Sequence, residues 1–580
     1  MTWRRRRQVV LLIATLCVAT TTTPFAAQPL HVVATGGRMA TDLDLFTVSG
    51  STTAFWQRTP HQLGGPVAEM DVGFMNWFSD SVDEIPNANS VTINYAWLER
   101  ASTGQVVPIT FSGQRQLVMP SQDPAGFHLA DPIPASVWIG APLAHDEVFW
   151  LHAKGTVPAN GTFLQGSFAT YAGSKCIVYD PANDPGTKDF AGTVPAINGQ
   201  NVLVGGLPLL FIGRYVGPGY LSVVGIGDSI LKGAGDNPNP VPVISGLGFL
   251  SRAAVDANGA NAIAVMNFGC NGEKGSSWLD RHARQGQILA FANVAVEEFG
   301  TNDIGSNGGS ANAASIFTKL QGIWNVIRAA GVQRIVRTRL LPRTQSPSGN
   351  WLSLADQVPN SGWGAGGARD QLNANLATAL TNGQIDVLVD TLVTVSDPGD
   401  NHYWLTNGTS KYTTPDGTHP SPTGHAFVAQ ALRAALLAVP VDDYYSWAAK
   451  IAWNGANSSP TADPNGDGLS NLLAYAFDVS PLTTSVPELL PFPKYDNATP
   501  NGPWVTLTFR QNARAADLTY TVEATNDLVQ WTDLVPNGQT VVDEVVDPDP
   551  DGDGSAILKR VRIKLTADQN KEFLRLEVNR

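Results

Sequence analysis

The sequence predicts a multidomain chain: an N-terminal all-β sandwich or jelly roll, a central α/β/α domain on a parallel sheet, and a small C-terminal β module. Three observations lead there. Residues 30–215 are dense in short alternating apolar runs separated by Gly/Pro turns, and they lack long helical periodicity. Beyond Gly219, up to about residue 438, strand and helix patterns alternate, which calls for a parallel sheet covered by helices. After residue 500 short alternating strands return. A length of 580 residues fits about three or four domains at roughly 100–200 residues each.

The first 27 residues read as an export leader. Residues 4–7 are all Arg, residues 9–19 are apolar, and Ala26-Ala27 offers a cleavage site; the apolar run is too short for a stable membrane span. The run of arginines suits Sec or twin-arginine export. A secreted, periplasmic or cell-surface location follows. Residues 28–216 form the β accessory domain. Its stretch "SVTINYAWLE" places Val91, Ile93, Tyr95 and Trp97 on one face at period two, and "VVPITFSG", "RQLVMP" and "DEVFWLHAKG" repeat the style.

Residues 217–440 are the α/β domain. "YLSVVGIG", "AIAVM", "RIVRTRLL" and "IDVLVD" are its buried strands, and residues 246–257, "RDQLNANLATAL" and "TGHAFVAQALRAALL" are helices. Ile316, Leu320, Ile323, Trp324 and Ile327 share one face of a further helix. Residues 441–485 read as a helical linker with an Asp/Gly loop, and residues 486–580 as the C-terminal β module, with strands "WVTLTFR", "LTYTVEA", "LKRVRIKL" and "FLRLEV".

The formal net charge of −13 argues against a nucleic-acid partner, because no basic surface is set aside for phosphates. After the leader only Cys176 and Cys270 remain. Two cysteines make no disulfide framework. A single bridge between them is one option, although they fall in different predicted domains.

The chemistry gathers at strand ends. "GIGDSILKG" puts Ser229 directly after the strand "LSVVGIG"; "NFGCNGEKG" puts Gly272 after the strand ending at Met266; "GTND" puts Asn302 after "NVAVEEFG"; and "PDGTHPSPTGH" brings Asp416 and His419 just before the last helix. In an α/β sheet such positions converge beyond the carboxyl ends of the strands. A carboxylate three residues before a histidine on a loop can bond imidazole Nδ1 while Nε2 faces a serine.

Over roughly residues 220–438 the chain therefore resembles the SGNH (GDSL-type) hydrolase superfamily, with all four blocks in the family's order. The resemblance implies a serine esterase. Ser229 would attack an ester carbonyl, His419 would act as base and then acid, and Asp416 would hold the imidazole. The N–H groups of Ser229 and Gly272 and the Asn302 side chain would receive the oxyanion, with Gly269 as a turn residue. No cofactor is implied for catalysis. Asp228, Asp303 and Asp390 read as turn or strand-end residues, His425 as a packing or capping residue, and His402 as a candidate to line the cleft. Trp351, Trp363, Tyr403, Trp404 and Tyr412 lie on long loops, where they either stack on sugar rings or pack the loops down.

An export leader and a β domain ahead of such an esterase suggest an acylated polysaccharide as the ester substrate, with O-acetyl groups removed. A lipase-like, aryl or polyester esterase is the alternative. A non-catalytic glycan-binding or adhesion protein on a retained scaffold is another. The sequence leaves oligomeric state open. In "DPNGDGLSN", Asp463, Asn465, Asp467, the Leu469 carbonyl and Asn471 have calcium-loop spacing, but Ala474 stands where an EF-hand has its bidentate Glu. A structural calcium ion is expected there, bound weakly if at all. "DPDPDGDG", residues 547–554, reads as an acidic turn. From "YYSWAAKIAW" to "FLRLEV" the chain resembles a C-terminal module of many secreted proteins from Verrucomicrobia and related bacteria.

Overall fold

The computed structural model describes residues 30–579, apart from residues 141–142, 169, 217–218, 239–240, 245, 440–443, 450, 452, 454–455, 485–486, 497–502, 514, 516–517, 538, 549, 552–555 and 566–572. The expected leader, residues 1–27, lies outside the described residues. Residues 27–441 form one compact unit, and the chain from residue 442 onward belongs to another.

Five parallel strands build the heart of the first unit, in the spatial order Ala264–Gly269, Ser222–Gly227, Val294–Glu297, Arg334–Thr338, Val387–Val389. All six residues of Ser222–Gly227 are buried, because helices cover both faces. On one face Val224, Ile226, Met266 and Ile335 pack with Leu320, Ile323 and Trp324 of the helix Ala313–Ala329 and with Leu372 and Leu376 of Ala368–Thr381. On the other, Val223, Val265, Val294 and Val336 pack with Leu250 of Gly248–Ala253 and with Val428, Leu432 and Leu436 of Pro422–Ala438. The first strand in sequence is flanked on both sides by later ones. Its carboxyl end is therefore the topological switch point, the crevice where such sheets place their ligands.

The boundary expected at residues 216–217 does not separate two bodies. The short strand Gly37–Arg38 pairs in parallel with Ala264–Gly269 and antiparallel with Leu209–Tyr215, which pairs in turn with Val67–Phe74. One sheet of eleven strands thus runs from the β-rich region into the parallel core. Val32, Met39, Met75 and Trp77 share a hydrophobic core with Met266 and Phe268. The opposite face of the antiparallel half packs against a seven-stranded sheet that includes Ala54–Gln62, Val91–Arg100 and Val148–Thr156, through Met70, Val72, Phe55, Ile93 and Leu151.

The face expected from "SVTINYAWLE" is split by a β-bulge. Lys154 lies opposite Tyr95 and Gly155 opposite Ile93, so Asn94 is an extra residue. Val91 and Ile93 therefore enter the inter-sheet core with Ala96 and Leu98. Tyr95 and Trp97 fall on the other side, with Trp56, Ile177 and Phe190. Cys176 and Cys270 are both free thiols in buried positions, without a bridge.

In the second unit the segment expected to be a linker belongs to the core. Tyr444, Leu473, Tyr475 and Phe477 are buried with Leu507, Phe509, Val522, Val561 and Leu576. Those partners come from a four-stranded sheet containing Trp504–Asn512 and Ala556–Lys564 and a three-stranded one containing Thr519–Thr525 and Phe573–Asn579. The helix Asn471–Ala476 is tied to the first of these sheets through the Asn512 side chain, which donates to the Tyr475 carbonyl at 2.8 Å.

A chain that starts at residue 219 and ends at 441 would expose the edge of Ala264–Gly269 and the apolar side chains that Met39, Met75 and Trp77 cover. It is expected to aggregate, or to bind ANS and melt without a cooperative transition. A monodisperse fragment with a sharp melting transition would contradict the single-unit description.

Candidate active site

Ser229 is the first residue of a short helix, Ser229–Lys232, that begins where the central strand ends. Asp228 caps that helix: its Oδ1 accepts from the Ile230 N–H at 2.9 Å. The turn places the Ser229 hydroxyl at the sheet's carboxyl edge, 2.8 Å from Nε2 of His419. Nδ1 of His419 lies 2.7 Å from Asp416 Oδ2. An ionised carboxylate only accepts, so Nδ1 carries the proton, Nε2 is the acceptor and Ser229 donates to it. Burial pushes the Asp416 carboxyl up, but hydrogen bonds from the His419 side chain and backbone and from the Thr418 N–H outweigh it and hold Asp416 at about 2. Both backbone donors reach Oδ1, at 2.8 and 2.9 Å.

The loop that carries this pair is braced from below. Thr414 Oγ1 donates to the His419 carbonyl at 2.7 Å and accepts from the Gly417 N–H at 2.8 Å. The Gly417 carbonyl accepts from the Thr344 N–H at 2.9 Å and from Trp404 Nε1 at 3.0 Å. Gly417 has φ +79, and a Cβ there would lie 1.9 Å from the Thr344 carbonyl oxygen. Only glycine fits between Asp416 and the neighbouring loop.

Three donors were expected for an oxyanion, and they differ. Among the described residues the N–H groups of Ser229 and Gly272 have no hydrogen-bond partner. Gly272 has φ +78, and the nearest atoms to a Cβ there belong to Ser81, at 3.7 Å. The β-rich N-terminal region thus borders the site directly. Asn302 Nδ2 is already engaged, donating to Asp228 Oδ2 and to the Glu273 carbonyl, each at 3.1 Å. The Gly269 N–H is held by Asn267 Oδ1 at 2.8 Å, which leaves Gly269 its turn role.

The remaining candidates fall outside the relay. His425 is buried in the last helix, receiving the Phe249 N–H on Nδ1 and bonding the Ala234 carbonyl through Nε2. His402 is held between Asp370 and Asp400. Asp303 accepts from the Gly275 N–H at 3.0 Å. Trp351, Trp363 and Trp404 are buried, with their indole N–H groups on Thr344, Gly305 and Gly417. They pack the loops down.

Sequence reasoning missed the acids beneath the site. Glu298 and Glu273 are buried, and Glu298 Oε2 accepts from the Asp228 N–H at 3.3 Å. Burial pushes Asp228, Glu298 and Glu273 all above the ordinary carboxylate range, and the mutual repulsion of Asp228 and Glu298 raises Glu298 further. The signal was "VAVEEFG", where a buried strand ends in two acids. Arg343 was missed as well.

In the second unit, Asp463 accepts from the N–H groups of Gly466 and Gly468, each at 2.9 Å, and Asp467 accepts from Leu469 at 3.0 Å. Asn471 donates to the carbonyls of Asn457 and Ser459, and its Oδ1 is buried without a partner. Among the described residues no group of three or more His, Cys, Asp or Glu side chains could hold a metal. Any ion here would depend on Asn and carbonyl oxygens beside the two aspartates.

Residues 226–427, which carry the whole relay, match the GDSL-like Lipase/Acylhydrolase family. This segment is a GDSL-like acylhydrolase domain. Solved structures similar to the chain include a GDSL-like lipase from Bacteroides thetaiotaomicron, 18% identical, spanning 37% of this chain and 86% of the lipase at a TM-score of 0.26. An acetylxylan esterase from Geobacillus stearothermophilus is 17% identical over 39% of this chain and 97% of its own, at a TM-score of 0.25. A Bacillus subtilis protein is 12% identical over 68% of this chain and 88% of its own, also at 0.25. No curated protein matches the sequence. Among the described residues no helix is long and apolar enough to cross a membrane.

The buried acids of the acylhydrolase domain make its stability depend on pH. Asp228 and Glu298 retain protons that the unfolded chain gives up at ordinary carboxyl values. Above about pH 4 the folded state then binds more protons than the unfolded one, and stability declines as pH rises until the pair itself ionises. Glu298→Gln keeps an acceptor for the Asp228 N–H and removes one titration. It is expected to narrow the difference in stability between pH 5 and pH 8 by on the order of 1 kcal/mol or more. An unchanged pH profile of Tm would show that the pair does not titrate there.

Proposed function

We propose that the protein is an exported serine esterase that removes O-acyl groups, acetyl above all, from a polysaccharide. The observation that carries the reading is the unbroken relay from Ser229 Oγ through His419 to Asp416. Its geometry suits acyl transfer without rearrangement. As Ser229 Oγ forms a bond to the ester carbonyl carbon, its proton passes to His419 Nε2, and Asp416 stabilises the imidazolium. The carbonyl oxygen becomes an oxyanion, met by the free N–H groups of Ser229 and Gly272. Asn302 joins them by exchanging its bond to the Glu273 carbonyl for a stronger one to the charged oxygen. Collapse breaks the C–O bond to the leaving alcohol, which takes the proton from His419. Water then hydrolyses the acyl-enzyme by the same steps.

The leader pattern of residues 1–27 supports export. The preference for a polysaccharide draws on the β-rich region that borders Gly272. In the second unit we propose that residues 463–471 hold a structural calcium ion, a reading that uses the spare Oδ1 of Asn471. Excess calcium is expected to raise the Tm of that unit's transition relative to EDTA, and identical melting curves would remove the ion.

The decisive measurement for the main reading is turnover of p-nitrophenyl acetate. Ser229→Ala is expected to lower kcat by at least ~10³-fold. Asn302→Ala is expected near the lower end of the ~10²–10³ range for an oxyanion donor, because it gives up one bond to make another. Asp416 is held at about 2, so it stays ionised well below neutrality, and Asp416 is expected to add no ionisation of its own to the kcat/KM profile between pH 4 and pH 8. Equal rates for the parent and Ser229→Ala would leave a non-catalytic glycan-binding scaffold.

A further inference from the structure

Arg343 stands where the two halves of the candidate site meet. Its neighbour Thr344 donates its N–H to the carbonyl of Gly417, the residue after Asp416. Its own carbonyl accepts from the Asn360 N–H at 3.0 Å. Its guanidinium lies over Trp363, with the carbon 5.8 Å from the ring centroid, and Trp363 is tied to the Gly305 carbonyl at the end of the helix that contains Asn302. The group therefore reaches from the acid loop toward the oxyanion loop.

The guanidinium has no hydrogen bond or ion pair to any described residue, and Nη1 is buried with no partner. Buried arginine donors are ordinarily satisfied. Nε of Arg100, Arg115, Arg284, Arg337, Arg339 and Arg562 is also buried without a hydrogen-bond partner, but each of those guanidiniums makes another bond or ion pair, as Arg58 does with Glu99 and Arg252 with Asp236. Burial lowers the Arg343 pKa, and the charges of Asp228 and Asp416 act against that. A bare cation so placed opposes the imidazolium that forms on His419 during the reaction. A ligand that brings its own negative charge to the part of this half-buried guanidinium that is not shut off from solvent removes the conflict.

Resting on the esterase reading, we infer that Arg343 is the specificity-determining residue that selects an anionic substrate: it binds a carboxylate or sulfate group carried by the acylated sugar next to the scissile ester. The planar fork of a guanidinium matches both groups. Neutral esters leave the guanidinium charge unopposed and are poorer substrates.

Binding to the inactive Ser229→Ala protein tests this apart from hydrolysis. Oligogalacturonate, a sulfated galactan oligosaccharide and a neutral galactan oligosaccharide are compared by calorimetry. At least one anionic ligand is expected to bind roughly tenfold to a hundredfold more tightly than the neutral one. The oligosaccharide that shows the gain identifies carboxylate or sulfate as the group. In Ser229→Ala/Arg343→Gln the preference should vanish, and in Ser229→Ala/Arg343→Lys part of it should return. Equal affinities for all three ligands, or a preference that survives Arg343→Gln, would overturn the inference. Should Arg343→Gln not fold, the three-ligand comparison on Ser229→Ala still decides. With the active protein, the ratio of kcat/KM for acetylated galacturonan to that for acetylated xylan should fall at least about tenfold on Arg343→Gln if the carboxylate is the recognised group, and an unchanged ratio would count against that assignment. Anion preference in Ser229→Ala without ester turnover by the parent protein would leave the anion site standing and remove the esterase reading.

Discussion

A hydrogen bond of 3.1 Å between Asp228 and Asn302 joins the two strand ends on which the site is built. Asp228 ends the central strand's turn and caps the helix that begins with Ser229, while Asn302 lies in the helix that follows the neighbouring strand. Residues 74 positions apart in the chain are fixed to each other because Ser222–Gly227 and Val294–Glu297 are adjacent parallel strands. The Asp228 carboxyl accepts from the Ile230 N–H and from Asn302 at once, and its own N–H is received by Glu298 beneath it. A buried acid pair is expensive to form. Its presence directly under Ser229 fits the tendency of functional sites to hold such groups.

The tryptophans on the loops illustrate how aromatic residues near a site can act at one remove. Trp351, Trp363 and Trp404 bury their rings and place their indole N–H groups on the Thr344 hydroxyl, on the Gly305 carbonyl at the end of the Asn302 helix, and on the Gly417 carbonyl beside Asp416. An indole with its N–H satisfied contributes a large apolar area and one directional bond. Three of them in one region fix loops that would otherwise sample many conformations. The consequence is that these three rings are taken up by packing, and none of them is a free stacking platform.

The β-rich region is part of the same body as the Ser229–His419–Asp416 relay. Its short strand Gly37–Arg38 closes the edge of the parallel sheet, and Ser81 approaches Gly272. Lys232, at the end of the helix that begins with Ser229, meets Asp44 of that region at 3.0 Å. Changes in the β-rich region can therefore reach Gly272 and the Ser229 helix through a few contacts, without a hinge between two domains.

By itself the sequence determined the parts whose cause is local. The central strands, their covering helices and the four blocks at strand ends were legible because apolar periodicity and turn chemistry act over a few residues. The relay was legible because Ser229, Asp416 and His419 each sit in such a block. Tertiary structure alone decided what depends on partners distant in the chain. The bulge at Asn94 exchanges the faces of Tyr95 and Trp97 through a mismatch with Lys154 and Gly155 that no window around residue 94 contains. The strand Gly37–Arg38 is two residues long, too short for any periodicity, yet it fuses two predicted domains into one sheet. Glu298 and Arg343 read as ordinary charges, and only the surrounding fold removes one from water and leaves the other without a partner. Desolvation and pairing are properties of the assembled interior, and a residue's own neighbours in sequence do not set them.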